Sequence, residues 1–209
     1  MGASSVVFVG GGFRRQLFEE HELFPERMAK DYTAVGDFAI YAYGSNTYRF
    51  SVLNDRIVLD HNSGSVLSGE LVEAAARVVA QLEAQSQGHG VTGLGFNFSA
   101  VLSQGIGGLS GTEFCNGMYD AVRVRQAIGS PFDETQCHVV VLRGAVQYTL
   151  RVEPHVSSGG ANLFLSVNGH QNVAASDDLS SKLNEAGNAK EYIQSVFSGL
   201  SRGFEGEGK

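Results

Sequence analysis

A run of glycines followed by two arginines is the first group of residues whose types could bind an anion. The apolar run Val6–Val9 leads into Gly10-Gly11-Gly12, and Arg14 and Arg15 come soon after. An arginine stands where the third glycine of a dinucleotide-binding fingerprint belongs, and no Walker loop occurs in the sequence. Backbone amides and the two guanidinium groups could still bind a phosphate-like anion, with a histidine such as His61 beside them. The alternative is a plain glycine turn after a strand.

The histidines, cysteines and serines form no recognisable catalytic or metal-binding motif. The six histidines show neither His-x-x-x-His nor His-Glu-x-x-His spacing, and Cys137-His138 are neighbours that a strand would point to opposite faces. The Gly-x-Ser-x-Gly match at Gly199–Gly203 falls within the predicted last helix and not directly after a strand, so it is not a nucleophile elbow. Cys115 beside Phe114 on a predicted helix is typical of a buried structural thiol. The sequence therefore predicts no catalytic residue, no metal site and no cofactor, and it leaves open whether the protein is an enzyme.

Four aromatic residues straddle the first predicted hairpin and could contact a partner. Tyr41 and Tyr43 precede its turn, and Tyr48 and Phe50 follow it. If these rings share an exposed face, they could pack against a protein or stack on a base. Replacing Tyr41 or Tyr48 by serine should then weaken self-association without unfolding the chain. The ordinary interpretation is a set of cross-strand pairs that covers a core.

The elements that must position these residues begin with a strand and an antiparallel meander. Ser5–Val9 predicts a strand, and short helical pieces are expected within Gln16–Lys30. Alternating apolar residues and turn residues predict three antiparallel strands over Asp37–Asp60. Apolar residues at helical spacing predict a helix over Ser65–Gln85, and Val91–Val101 predicts the next strand.

The rest of the sequence repeats the order of strands followed by a helix. A glycine-rich connection, Ser103–Gly111, precedes a predicted helix, for which Thr112 is a candidate N-cap. The predicted elements after this connection are a helix over Thr112–Ile128, a hairpin of Cys137–Leu142 and Val146–Val152, a strand around Leu163–Val167, and a helix over Asp177–Phe204 with a break near Gly187-Asn188.

Strands and helices that are segregated along the chain indicate an α+β fold. We expect an antiparallel sheet or sheets, with amphipathic helices packed on one face, in place of a parallel doubly wound sheet. Because the order of elements recurs, the sequence predicts two similar halves, residues 1–104 and 105–209, which could together form one compact domain.

Composition and charge bear on the location and partners of the protein. The formal net charge of −7 disfavours a nucleic-acid partner, which would need a basic face. Two cysteines are too few for a disulfide framework, and neither a signal peptide nor an apolar run of about 20 residues is recognisable. The sequence thus predicts a cytoplasmic protein with no membrane partner.

One part of the sequence has the shape of a known family. The strand residues Phe50–Ile57, the helix after them and the segment Gly93–Phe98 resemble a sporadically distributed family of bacterial proteins of unknown function. The resemblance extends to a final helix with aromatic residues, here Ala189–Phe204. The resemblance implies a two-part α+β fold with no known activity, and it identifies no functional residue in this sequence.

These observations lead to two hypotheses about function. The first is a non-enzymatic protein-interaction or assembly module that forms a homo-oligomer or binds a protein partner. Its binding elements would be the Tyr41–Phe50 hairpin and the Ser103–Gly111 connection. The second is a small-molecule or anion-binding protein, or an unrecognised enzyme, that uses the Gly10–Arg15 loop.

Overall fold

The computed structural model describes residues 2–18, 23–24, 30–44, 46–85, 88–102, 108–118 and 136–203. The described strands are β1 (Gly2–Gly10), β2 (Lys30–Val35), β3 (Phe38–Tyr43), β4 (Tyr48–Leu53), β5 (Arg56–His61), β6 (Val91–Leu102), β7 (Cys137–Arg143), β8 (Val146–Pro154) and β9 (Leu163–Asn172). The described α-helices are α1 (Gly69–Glu83), α2 (Gly111–Gly117), α3 (Leu179–Leu183) and α4 (Glu185–Gly203). Arg15–Leu17 and Val156–Ser158 form short 3-10 helices.

All nine strands belong to one antiparallel sheet, so the fold is α+β, as the sequence predicts. The order across the sheet is β2-β3-β4-β5-β1-β6-β9-β8-β7. Strand β1 lies at the centre, where Val6 is paired with Leu59 of β5 on one side and with Phe96 of β6 on the other. The sheet contains strands from both 1–104 and 105–209, and β6 and β9 are the strands that join them.

The helix α1 covers the inward side chains of the central strands. Its N-cap is Ser68, whose hydroxyl oxygen accepts a hydrogen bond from the amide of Leu71. Six apolar side chains at helical spacing are buried in the same cluster as Val6 and Phe8 of β1. These six are Leu71, Ala74, Ala75, Val78, Val79 and Leu82.

A second apolar cluster lies between α2 and the strands β7, β8 and β9. Phe114 and Cys115 of α2 pack there against Val152 of β8 and Leu165 of β9. Both cysteines, Cys115 and Cys137, are buried, and they form no disulfide with each other. No helix in the described parts of the chain is long and apolar enough to cross a membrane.

The structure confirms most predicted strands and corrects several boundaries. Strand β2 is missing from the sequence prediction, which placed helical pieces up to Lys30 and no element over residues 31–35. The N-cap of α2 is Ser110 and not Thr112, because Ser110 and Glu113 form a reciprocal capping box. The break in the last helix lies at Asn184, three residues before the expected position.

Some sequence predictions fall on residues outside the described ranges. These are most of the helical pieces within Gln16–Lys30, residues 103–107 of the glycine-rich connection and the predicted helix beyond residue 118. The division into two similar halves remains a prediction.

Candidate functional site

The Gly10–Arg15 loop is a surface connection at one end of the sheet. Gly11, Gly12 and Arg14 are exposed, and Gly12 has a φ of 76°. Gly10 is required for packing, since a Cβ there would lie 2.0 Å from the carbonyl oxygen of Gly90. The guanidinium of Arg15 donates a hydrogen bond to the hydroxyl of Tyr32 at 2.9 Å. This contact ties the loop to β2.

His61 lies at the opposite end of the sheet from this loop. The amide of Gly10 bonds to the carbonyl of Asp55, just before β5 begins, whereas His61 at the end of β5 is paired with Ser4. Six residue steps of β1 separate the two ends, which is about 20 Å at the rise of an antiparallel strand. The structure therefore does not bring His61 together with Gly11, Gly12, Arg14 and Arg15.

His61 instead belongs to a polar cluster at the start of α1. Its Nδ1 lies 2.8 Å from the hydroxyl of Ser68 and 3.3 Å from that of Ser63, and its ring stacks on Tyr48 at 4.2 Å between centroids. The Tyr48 hydroxyl donates to the carboxylate of Glu70. Burial lowers the pKa of His61, which favours the neutral form of the ring.

A neutral imidazole beside a serine hydroxyl could in principle accept the serine proton. Here, however, the Ser68 oxygen also accepts the amide of Leu71 as the helix cap, and the His61 side chain is 4% exposed. The contact between Ser68 and His61 is therefore explained by the role of Ser68 as the helix cap and by the packing of the buried His61 ring. Sequence analysis missed this cluster because Ser68 and His61 meet only when α1 folds back on β5.

The aromatic residues of the first hairpin are buried, so the interpretation in which they share an exposed face is wrong. Tyr41, Tyr43 and Tyr48 are 3%, 5% and 4% exposed. Tyr41 packs between Tyr32 and Phe50, at centroid distances of 4.8 Å and 5.5 Å. The rings are cross-strand pairs that cover a core, which was the ordinary interpretation of their spacing.

Most of the exposed large apolar side chains in the described sheet lie on its two edge strands, with Val9 of β1 as the exception, and β7 carries the largest group of them. Val139, Val140 and Leu142 are 40%, 57% and 72% exposed. Strand β7 is the last strand of the sheet beyond β8. Lysine and proline, which natural edge strands use to prevent pairing, are absent from its sequence.

The backbone of β7 also has hydrogen-bonding groups that no described strand pairs with. A two-residue turn, Gly144-Ala145, joins β7 to β8, with a φ of 59° at Gly144. In such a hairpin the residues next to the turn form a hydrogen-bonded pair, and hydrogen-bonded and open pairs then alternate. Arg143 and Val146 are that first pair. The amides and carbonyls of His138, Val140 and Leu142 therefore point away from β8.

The sequence carries a signal for this edge, but an ambiguous one. Val139–Leu142 is a continuous apolar run, which is the pattern of a strand buried on both faces. Only the strand order of the folded sheet shows that β7 has a neighbour on one side alone among the described strands. No group of three or more metal-ligating side chains occurs in the described ranges.

Comparisons with known proteins leave the family of this chain undetermined. No protein-family model matches the sequence, and no curated protein matches it. A rolling circle replication initiator protein from Geobacillus stearothermophilus is similar in structure, with a TM-score of 0.32 and 10% identity. The similarity covers 90% of this chain and 78% of that one. At this level it carries no argument about fold family or function.

Proposed function

We propose that this protein is a non-enzymatic protein-interaction or assembly module, and that it binds a protein by adding a strand to β7. The observation that carries the proposal is the exposed apolar edge of the sheet at Val139, Val140 and Leu142. Strand addition uses the backbone for affinity and alternate side chains for specificity. The β7 edge supplies both, and it replaces the Tyr41–Phe50 hairpin as the binding element.

The β7 edge exposes apolar side chains and backbone groups that an added strand would cover. Side chains of Val140 and Leu142 lie on one face of β7, and Val139 lies on the other, so an added strand would cover apolar surface on both faces. Burial of apolar surface stabilises an association by roughly 25 cal/mol per Å² before the costs of binding are counted. The outward amides and carbonyls of β7 would at the same time gain partners.

The proposal includes the finer architecture and the cellular setting expected from the sequence. The helices pack on one face of the sheet, and residues 1–104 and 105–209 are two similar halves. In support, each part contributes antiparallel strands and one long helix, α1 or α4. The protein is a bacterial cytoplasmic one of the sporadically distributed family, and nucleic acid is not its partner, in line with its net charge of −7.

The anion-binding or enzymatic alternative at the Gly10–Arg15 loop has weaker support. Gly11, Gly12 and Arg14 are exposed there, but Arg15 is engaged with Tyr32 and His61 lies at the other end of β5. Stabilisation by inorganic phosphate or nucleotides in a thermal-shift assay, lost on replacing Arg14 and Arg15 by alanine, would favour this alternative.

The experiment that tests the proposed function is site-specific photo-crosslinking in the cell that produces the protein. A photoreactive residue in place of Leu142 should give discrete protein adducts that disappear when Val140 is also changed to lysine. The matched control is the same residue in place of Val35 on β2, because Val35 is 73% exposed and Leu142 is 72% exposed. Equal adducts at both positions, or none at Leu142, would contradict the proposal.

A further inference from the structure

We infer that the strand added to β7 is the β7 of a second copy of this chain. The two strands run antiparallel about a two-fold axis through Val140, and the two nine-stranded sheets become one continuous sheet. This inference rests on the proposed function and specifies its partner.

The side chains of β7 are complementary to themselves in this register. With Val140 opposite Val140, each His138 lies opposite Leu142 of the other copy on the same face. On the second face Val139 lies opposite Val141, and Cys137 lies opposite Arg143. Directly opposed side chains are the unit of sheet stabilisation, and β-branched pairs are favourable ones. The centre of the joint is therefore formed by three valines of each copy.

The backbone groups fit the same register. The residues of β7 whose amides and carbonyls point outward are His138, Val140 and Leu142. The two-fold axis pairs Val140 with Val140 and His138 with Leu142, so every outward residue meets another outward residue. Each of these pairs exchanges two hydrogen bonds. A shift of one residue along the strand would abolish this match.

Charge also favours the two-fold arrangement. Arg143 is the only formally charged residue of β7, and its guanidinium lies 4.8 Å from the ring centroid of Tyr192 in α4. The antiparallel register keeps the two arginines at opposite ends of the joint, about 20 Å apart, beyond the screening length of about 8 Å. A parallel pair would instead place one arginine beside the other.

Pairing of β7 with β2 of another copy is less favourable. Strand β2 carries Asp31, and the Arg15–Tyr32 hydrogen bond crosses to it from the glycine loop. Such head-to-tail contacts would also leave a free edge at each end of the assembly, so that further copies could add without limit and form an open-ended filament. The β7 joint, by contrast, closes on itself. Because a seven-residue edge is small for a stable interface, we expect a dimer that dissociates at micromolar concentrations.

The test measures mass in solution by sedimentation over a range of concentrations for the full chain and two variants. The unchanged protein should pass from monomer to dimer. Val140→Lys and Val140→Glu each place like charges opposite each other and should weaken the dimer at least tenfold. Mixing the two variants should restore the dimer, because lysine then faces glutamate. Restoration depends on Val140 facing Val140, so it reports the register itself.

Controls separate this result from loss of folding. Val35→Lys makes the same change on the β2 edge and should leave the dimer unaffected. Both Val140 variants should keep the melting temperature and circular dichroism of the unchanged monomer, since Val140 is 57% exposed. Hydrogen exchange of the Val140 and Leu142 amides should slow as the concentration of the unchanged protein rises.

Several results would overturn the inference. A monomer at every concentration, variants that associate like the unchanged protein, or open-ended strings would each do so. If the purified protein is monomeric but the crosslinker at Leu142 captures a different protein, the partner is foreign and only this inference fails. If no adduct forms either, the proposed function fails as well.

Discussion

The two edges of the sheet differ in what surrounds them, although both expose apolar side chains. On β2, Tyr32 is 47% exposed, but its ring packs on Tyr41 and its hydroxyl accepts a hydrogen bond from Arg15. On β7, the exposed residues Val140 and Leu142 have no polar atoms in their side chains. One edge is therefore held by side-chain contacts from its own chain, and the other is the edge at which we propose that a strand is added.

Exposure alone does not distinguish the two edges. Val35 on β2 is as exposed as Leu142 on β7, yet β2 is a six-residue strand that includes Lys30 and Asp31. Charged residues on an edge disfavour pairing with other chains. An uncharged apolar centre together with outward backbone groups distinguishes β7, and changes to either edge can test the distinction.

The largest effect is expected from removing the aromatic support beneath β2. Tyr41→Ser deletes a buried ring that contacts Tyr32 and Phe50, and should lower the free energy of unfolding by about 3–5 kcal/mol. Urea unfolding measures this loss. Leu142→Ser on the other edge is the control and should change the stability of the monomer by about 0.5 kcal/mol or less. Similar losses for both variants would mean that the two edges are not supported differently.

A smaller effect is expected from the contact between the glycine loop and β2. Tyr32→Phe removes the hydroxyl that accepts the Arg15 hydrogen bond and should cost about 0.5 kcal/mol, since the pair is exposed. Hydrogen exchange should become faster at the amides of Asp31 and Thr33, which face β3. The amide of Val139, which faces β8, serves as the internal reference. Unchanged exchange in β2 would show that Arg15 does not hold this edge.

The smallest expected effect is a pH dependence of the stability of the protein, caused by His61 in the half of the sheet that contains β2. Burial lowers the pKa of His61 from its ordinary value of 6.5, so the unfolded chain takes up a proton more readily than the folded one. The contribution of the neutral His61 ring to the free energy of unfolding is therefore full above about pH 6.5, and it is lost as the pH falls through the pKa of His61 in the folded protein. The lowered pKa values of Asp55, Glu113 and Asp177 act only at more acidic pH.

Melting temperatures between pH 7.5 and pH 5 measure this dependence. His61→Gln should flatten the profile in that range, and His170→Gln, at an exposed position of β9, controls for the loss of a histidine as such. A profile that is unchanged by His61→Gln would show that burial of this ring is not its cause.

Local patterns predicted most of the elements, because alternation and helical spacing are properties of neighbouring residues. The helix at Gly69–Glu83, the hairpin of β7 and β8, and the strands β3, β4 and β5 follow from such patterns. Strand β2 was missed because an edge strand with charged residues does not show a clean alternation. Most of the elements that sequence reasoning found bury one defined face, whereas β7 was found from its apolar run and the turn after it.

The candidate site was much less predictable. Whether Tyr41 points into the core or outward depends on which face of the sheet the helices cover, and the sequence does not encode this locally. Whether Val140 is buried or exposed depends on the strand order, since a central strand and an edge strand can have the same apolar sequence. The position of β7 at the end of the sheet is a property of the whole topology.

The central position of β1 has a consequence for synthesis of the protein. Val6 is paired with Leu59 and Phe96, which follow it by roughly fifty and ninety residues. At ribosomal rates of about 5–20 residues per second, β1 would wait roughly 5 to 20 seconds for its second partner. During that interval the apolar segment Val6–Val9 lacks one of its two neighbouring strands, and the length of the interval depends on how fast the ribosome moves through the codons before β6.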